Sequence, residues 1–147
     1  MLITPPSADN VKFSLLSGSR ISCLGENFRK GAGILHLYTE SEHDVLSCGY
    51  DATIRMWDRR CGNKSVLEWE DPYDSAVYCI SSDHNMTVLS GTSRHGVVRL
   101  WDKRWNKQVQ MFYVGRGTNS PVYCVTFDAC NMYVALDNCL TLLSFNT

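Results

Sequence analysis

Asp44-Val-Leu-Ser-Cys-Gly-Tyr-Asp-Ala-Thr-Ile-Arg-Met-Trp-Asp58 and Thr87-Val-Leu-Ser-Gly-Thr-Ser-Arg-His-Gly-Val-Val-Arg-Leu-Trp-Asp102 read as one stretch written twice, with one extra residue in the second turn. Trp57 and Trp101 stand 44 residues apart; the same step forward reaches Phe145 and the same step back reaches Phe13. A second register agrees, because Ser75-Ala-Val-Tyr-Cys79 and Ser120-Pro-Val-Tyr-Cys124 are 45 residues apart. Self-similarity at such a period marks an array of stacked structural units.

The units are built of strands. Six Ala and five Glu leave few strong helix formers, whereas Val, Ile, Thr and the aromatic residues supply 42 of the 147 positions. One unit offers Ile34–Tyr38, Val45–Gly49, Thr53–Trp57 and Ser65–Trp69; the next offers Val77–Ser81, Thr87–Gly91, Val97–Trp101 and Val109–Phe112. Val122–Phe127, Met132–Leu136 and Leu140–Phe145 follow, and no amphipathic helix interrupts them. Upstream, Val11–Leu15 and Ser19–Cys23 fit the last two strands of an earlier unit.

Four strands per period, with a Trp-Asp pair closing the third, resemble the WD-repeat family of β-propellers. The resemblance implies an all-β fold, a partial and open propeller of about three four-stranded antiparallel blades. It assigns residues 1–24 to a preceding blade and 25–71, 72–114 and 115–147 to blades of the C-terminal part of a larger propeller. Ile54, Met56, Val98 and Leu100 would pack blade on blade, with Trp57 and Trp101 as large packing residues. WD blades often align a Gly-His, a Ser or Thr, an Asp and the Trp in one hydrogen-bonded line. Here the resemblance gives Ser47, Asp51, Trp57 and Asp58 to one blade, with Gly25-Glu26 in place of Gly-His. It gives Ser90, Trp101 and Asp102 to the next, where Arg94-His95 fall near the Asp position. In the third, Ala135 and Phe145 take the corresponding places. Thirteen strands make little more than three blades, below the four to eight of closed propellers, so the chain alone is expected to stay partly open or to aggregate.

Composition narrows the function. The chain is 44% apolar and 20% charged, with a formal net charge of −1; a chain this long buries roughly 70% of its unfolded surface, enough for one core. Near-neutral charge and a pI of 6.4 argue against nucleic acid as partner. No apolar stretch approaches the roughly 20 residues of a membrane span, and Met1–Lys30 lacks the plan of a secretory signal. The expected location is the cytoplasm, with the nucleus as alternative. Seven cysteines without a Cys-x-x-Cys pair read as reduced core residues. No nucleophile elbow, phosphate loop or metal-ligand spacing is present, and Cys48 near His43 reads as a buried strand residue, so no catalytic group, metal or cofactor is expected.

A binding surface remains. Tyr50 precedes Asp51 in a turn that faces partners in WD-repeat proteins, and Arg94 and His95 occupy the equivalent turn of the next unit, suited to an acidic or phosphorylated segment. Trp69 and Trp105, each flanked by charges, are candidate exposed anchors, with packing under a loop as the alternative. Glu68, Glu70, Asp71 and Asp74 read as a solvated linker. From Ser65 to Ser93 five acids stand without a Lys or Arg, and from Arg94 to Arg116 six basic residues face only Asp102, an alternation suited to steering a charged partner.

Four stretches, Leu46–Asp51, Ser75–Cys79, His95–Asp102 and Ser120–Cys124, with the chain end at Leu143–Asn146, are similar to F-box/WD-repeat proteins. That resemblance implies a substrate receptor: an F-box docks on the adaptor of a cullin-RING ubiquitin ligase while the propeller holds the protein to be ubiquitinated. The first thirty residues already look like propeller strands, so contacts to ligase components are expected through a region preceding residue 1, and contacts to a protein substrate or complex subunit through this chain. A WD-repeat scaffold in another assembly is the alternative.

Overall fold

The computed structural model describes residues 23–25, 28, 31–117 and 119–145. Among these described residues eleven strands form three antiparallel sheets in chain order. The first holds β1 (Ile34–Thr39), β2 (Asp44–Gly49), β3 (Thr53–Asp58) and β4 (Leu67–Glu70). The second holds β5 (Val77–Ser82), β6 (Thr87–Thr92), β7 (Val97–Asp102) and β8 (Gln108–Tyr113). The third holds β9 (Cys124–Phe127), β10 (Asn131–Ala135) and β11 (Leu140–Ser144). Each is a meander of neighbouring hairpins, and none closes on itself. The fold is the expected open, all-β array of propeller blades; the strands expected at Val11–Leu15 and Ser19–Cys23 lie outside the described residues, apart from Cys23, as does Glu26.

Two apolar layers hold the array together. Leu46, Cys48, Ile54 and Trp69 of the first sheet meet Val77, Ile80, Val88 and Trp101 of the second. Cys79, Leu89 and Val98 on the other face of the second sheet meet Val125, Met132 and Val134 of the third. Burying each such side chain contributes about 1.5–3 kcal/mol, and both faces of the middle sheet are used. The outer face of the last sheet stays in water, with Leu140 72% exposed.

Polar ties repeat at the blade period. The Tyr38 hydroxyl donates to Ser82 O at 3.0 Å, and Ile80 N–H donates to His36 Nδ1 at 3.3 Å. Lys103 Nζ pairs with the Glu40 carboxylate and donates to Ser82 Oγ at 3.0 Å. The indoles of Trp57 and Trp101 donate to Ser47 Oγ and Ser90 Oγ, both at 2.8 Å.

The structure corrects three local expectations. In the third sheet Leu143 lies opposite Met132 as Trp101 lies opposite Val88, so Leu143 and Val134 hold the places of the Trp and Ser, not Phe145 and Ala135. The β9–β10 turn is one residue shorter than the β5–β6 turn and the β10–β11 turn two residues shorter than the β6–β7 turn, which moves the Ser place from Ala135 to Val134 and the Trp place from Phe145 to Leu143. Phe145 instead sets its ring 6.2 Å from that of Phe112. Of the seven free cysteines only Cys48 and Cys79 are buried; Cys61, Cys124, Cys130 and Cys139 are exposed, because they fall in turns or on strand faces without a neighbouring sheet. Asp71 is not a solvated linker residue: it is buried and paired with Arg99.

Candidate functional site

The β2–β3 and β6–β7 turns share one end of the array with the connections between sheets. Ser93 N–H donates to Ala76 O at 2.9 Å, and Val122 N–H to Thr92 O at 2.9 Å, tying turn to connection. Tyr50, 56% exposed, stands at this end. Its ring meets Tyr78 edge-on, with centroids 6.3 Å apart, and Tyr78 lies 6.2 Å from Tyr123. The repeated Ser-x-Val-Tyr-Cys motif places Tyr78 and Tyr123 at the innermost strands of successive sheets, so three tyrosines run in a row across three blades. The carboxylate of Asp137 beside the Tyr123 hydroxyl raises that phenol above its ordinary range. Rigid aromatic rings with a polar tip are effective contact residues at protein interfaces.

Arg94 and His95 are exposed on the β6–β7 turn. Thr92 Oγ1 donates to Arg94 O and Val97 O, 3.0 and 3.1 Å away, and His95 N–H donates to Asn119 Oδ1 at 3.1 Å. His95 and Gly96 both take the left-handed conformation, with φ of 62° and 56°. A Cβ on Gly96 would stand 2.5 Å from the Gly115 Cα, so only glycine lets the turn lie against the following connection. The result is a notch of about 230 Å³ between Arg94, His95, Tyr73 and Tyr113. A second hollow of about 290 Å³ shares His95 and Tyr113 and reaches Arg116. Neither the Arg94 nor the Arg116 guanidinium is paired among the described residues, whereas Arg99 beneath them is neutralised by Asp71 and lies 5.1 Å from the Tyr73 ring centroid. Two free cations beside two tyrosines suit an acidic segment.

The other residues singled out from the sequence fall elsewhere. Trp69 is 1% exposed, buried against the second sheet, and its indole donates to Trp105 O at 2.9 Å, so it is a packing residue under the loop of Trp105 and not an exposed anchor. Trp105 itself is 67% exposed. Asp51 pairs with Arg55 at 2.7 Å and does not join the Ser47–Trp57 line. Asp58 and Asp102 accept the main-chain N–H and the side chain of Arg60 and Arg104, closing the β3–β4 and β7–β8 loops alike. Cys48 is buried in β2, where burial pushes its thiol far up, and His43 stands at the opposite end of that strand. Among the described residues no cluster of three His, Cys, Asp or Glu is arranged to hold a metal. Sequence reasoning had not marked Tyr73, Tyr78, Tyr113, Arg116 and Tyr123 as site residues, although the repeated motif contained two of them.

With this geometry in hand, comparison with known proteins decides the family. The family model described as WD domain, G-beta repeat matches residues 19–58 and 63–102, ending at the two Trp-Asp pairs. The chain belongs to the WD-repeat family. This WD-repeat chain is 42% identical over 135 residues to F-box/WD repeat-containing protein 4 of Mus musculus, covering 90% of the chain and 33% of the relative. The Homo sapiens protein of the same name gives the same figures. The chain thus spans about a third of the length of these curated relatives. Among solved structures it is similar to the WD40 β-propeller domain of Doa1, with a TM-score of 0.60 at 19% identity, over 78% of this chain and 37% of that one. That likeness concerns the fold. A WD-repeat array is a protein-interaction module, and the tyrosine row and basic notch are its exposed aromatic and charged features at one end.

Proposed function

We propose that this chain forms part of the substrate-gripping surface of an F-box/WD-repeat subunit of a cullin-RING ubiquitin ligase, acting inside the cell in ubiquitin-dependent degradation. The observation that carries the reading is the 42% identity over 135 residues to F-box/WD repeat-containing protein 4. On this reading the chain does no chemistry. It holds a protein substrate and raises the effective concentration of its lysines near the charged enzyme. Tyr50, Tyr78 and Tyr123 supply apolar contact, and Arg94, His95 and Arg116 engage an acidic or phosphorylated stretch of the substrate. Ligase components are contacted by a region other than the described blades.

The test is affinity capture from cells with the wild-type chain and with Tyr50→Ala combined with Arg94→Glu, followed by half-life measurement of each captured protein after the endogenous protein is depleted. Partners whose recovery drops at least tenfold in the double variant, and whose half-lives lengthen on depletion, support the receptor reading. Unchanged recovery removes these residues from the site. Captured partners with unchanged half-lives favour a scaffold in another assembly.

A further inference from the structure

At the end of the array opposite Tyr50 and Arg94, a cavity of about 730 Å³ opens between the second and third sheets. That volume lies within the roughly 300–1,000 Å³ of ligand pockets. Leu89, Leu100, Phe127 and Phe145 line it, three of them belonging to or packed against the layer between these sheets.

Its rim carries two equivalent carboxylates, Asp83 and Asp128, each opening the turn that leads into the second strand of its sheet. Each spends one oxygen on its own turn. Asp83 Oδ1 accepts the N–H groups of Asn85 and Thr87 at 2.8 and 2.9 Å; Asp128 Oδ1 accepts those of Cys130 and Asn131, both at 2.8 Å. The Tyr133 hydroxyl donates to Asp128 Oδ2 at 3.3 Å, and the side chains of Asn131 and Thr87 hydrogen-bond Asp128 and Asp83 in turn. Burial pushes the Asp83 carboxyl up, but the main-chain N–H groups of Thr87 and Asn85 more than reverse this; those of Cys130 and Asn131 lower Asp128. Both therefore stay ionised at neutral pH. No Lys or Arg lines the cavity, and the nearby Lys103 is committed to Glu40, Ser82 and Asn85.

A hollow with an apolar floor and two ionised carboxylates fixed among its lining residues has a defined complement. We infer that this cavity docks a segment of a partner protein that carries an arginine or lysine beside a bulky apolar residue, the cation meeting Asp83 and Asp128 and the apolar side chain resting on Leu89, Leu100 and Phe127. The charge is opposite to that wanted by the Arg94 notch, so the two ends of one array select different segments. This inference stands apart from the ligase reading, and its failure leaves that reading untouched.

Fluorescence anisotropy with the full 147-residue chain tests it. The probes are fluorescein-labelled Gly-Gly-Arg-Phe-Leu-Gly-Gly and the same peptide with Glu in place of Arg. The basic peptide is expected to bind at least tenfold more tightly. Asp83→Asn with Asp128→Asn should erase that preference while leaving the melting temperature in place, because asparagine Oδ1 still accepts the turn N–H groups. Ala129→Trp, at an exposed turn position on the rim, should block binding without changing charge. Equal affinity for the two peptides overturns the proposal. So does a preference that survives both variants, and so does equal competition by free phenethylamine, which would make the cavity a small-molecule site.

Discussion

The first and second sheets each place an arginine two residues before the tryptophan, and they neutralise it differently. Arg55 pairs with Asp51 of its own turn at 2.7 Å and with Glu68 of the neighbouring strand at 3.3 Å, its side chain 18% exposed. Arg99 pairs at 2.5 Å with Asp71, which comes from the connection between sheets; the two side chains are 3% and 0% exposed. The turn that holds Asp51 in the first sheet holds Arg94 and His95 in the second, and offers no acid. Moving the acid into the connection therefore does two things. It clamps one blade to the next through a buried pair, and it frees the turn to present cations to a partner.

The comparison breaks most readily at Asp71. Asp71→Ala strands a buried guanidinium and should cost about 3–5 kcal/mol in urea unfolding. A loss no larger than that of Asp51→Ala would show that the two pairs are equivalent after all. Ser90→Ala comes next: it leaves the buried Trp101 indole N–H without its acceptor, at about 1–3 kcal/mol. Val134→Ser, in the sheet that has Leu143 in place of the tryptophan, should lose stability instead of gaining it, since no indole is there to use the hydroxyl. Asp51→Ala should cost about 1 kcal/mol or less, because its partner is partly hydrated. The smallest effect is one the two sheets share. Hydrogen bonding from the Arg104 side chain and then its main-chain N–H lowers Asp102 to about 2, and Arg60 lowers Asp58 in the same way. A depressed carboxyl contributes stability above its unfolded pKa of about 3.9 that is lost as pH falls toward 2. Carboxyl titration by NMR should find Asp102 near 2, and nearer 4 in Arg104→Ala.

Much of this was legible in the sequence wherever the signal was local. Each expected strand from Ile34 onward is present, because alternating β-branched and aromatic residues bounded by turn residues specify an extended chain without reference to distant neighbours. The resemblance to WD repeats implied the Ser47–Trp57 and Ser90–Trp101 pairs, each of which joins adjacent strands of one hairpin. Trp69 was read as either an exposed anchor or a residue packed under a loop because charges flank it in sequence; period-two alternation points those charges to water and the indole inward. Asp71 was misread because nothing near it in sequence announces an arginine 28 positions away.

Strand positions, the repeat and its two tryptophans followed from residue order alone, since each rests on side chains a few positions apart. The buried Asp71–Arg99 clamp, the place of Leu143, the row of tyrosines and the acidic cavity at the far end came only with the packed sheets. They join residues separated by a hairpin or by a whole blade, and turn lengths and the stacking of one face on another decide those distances.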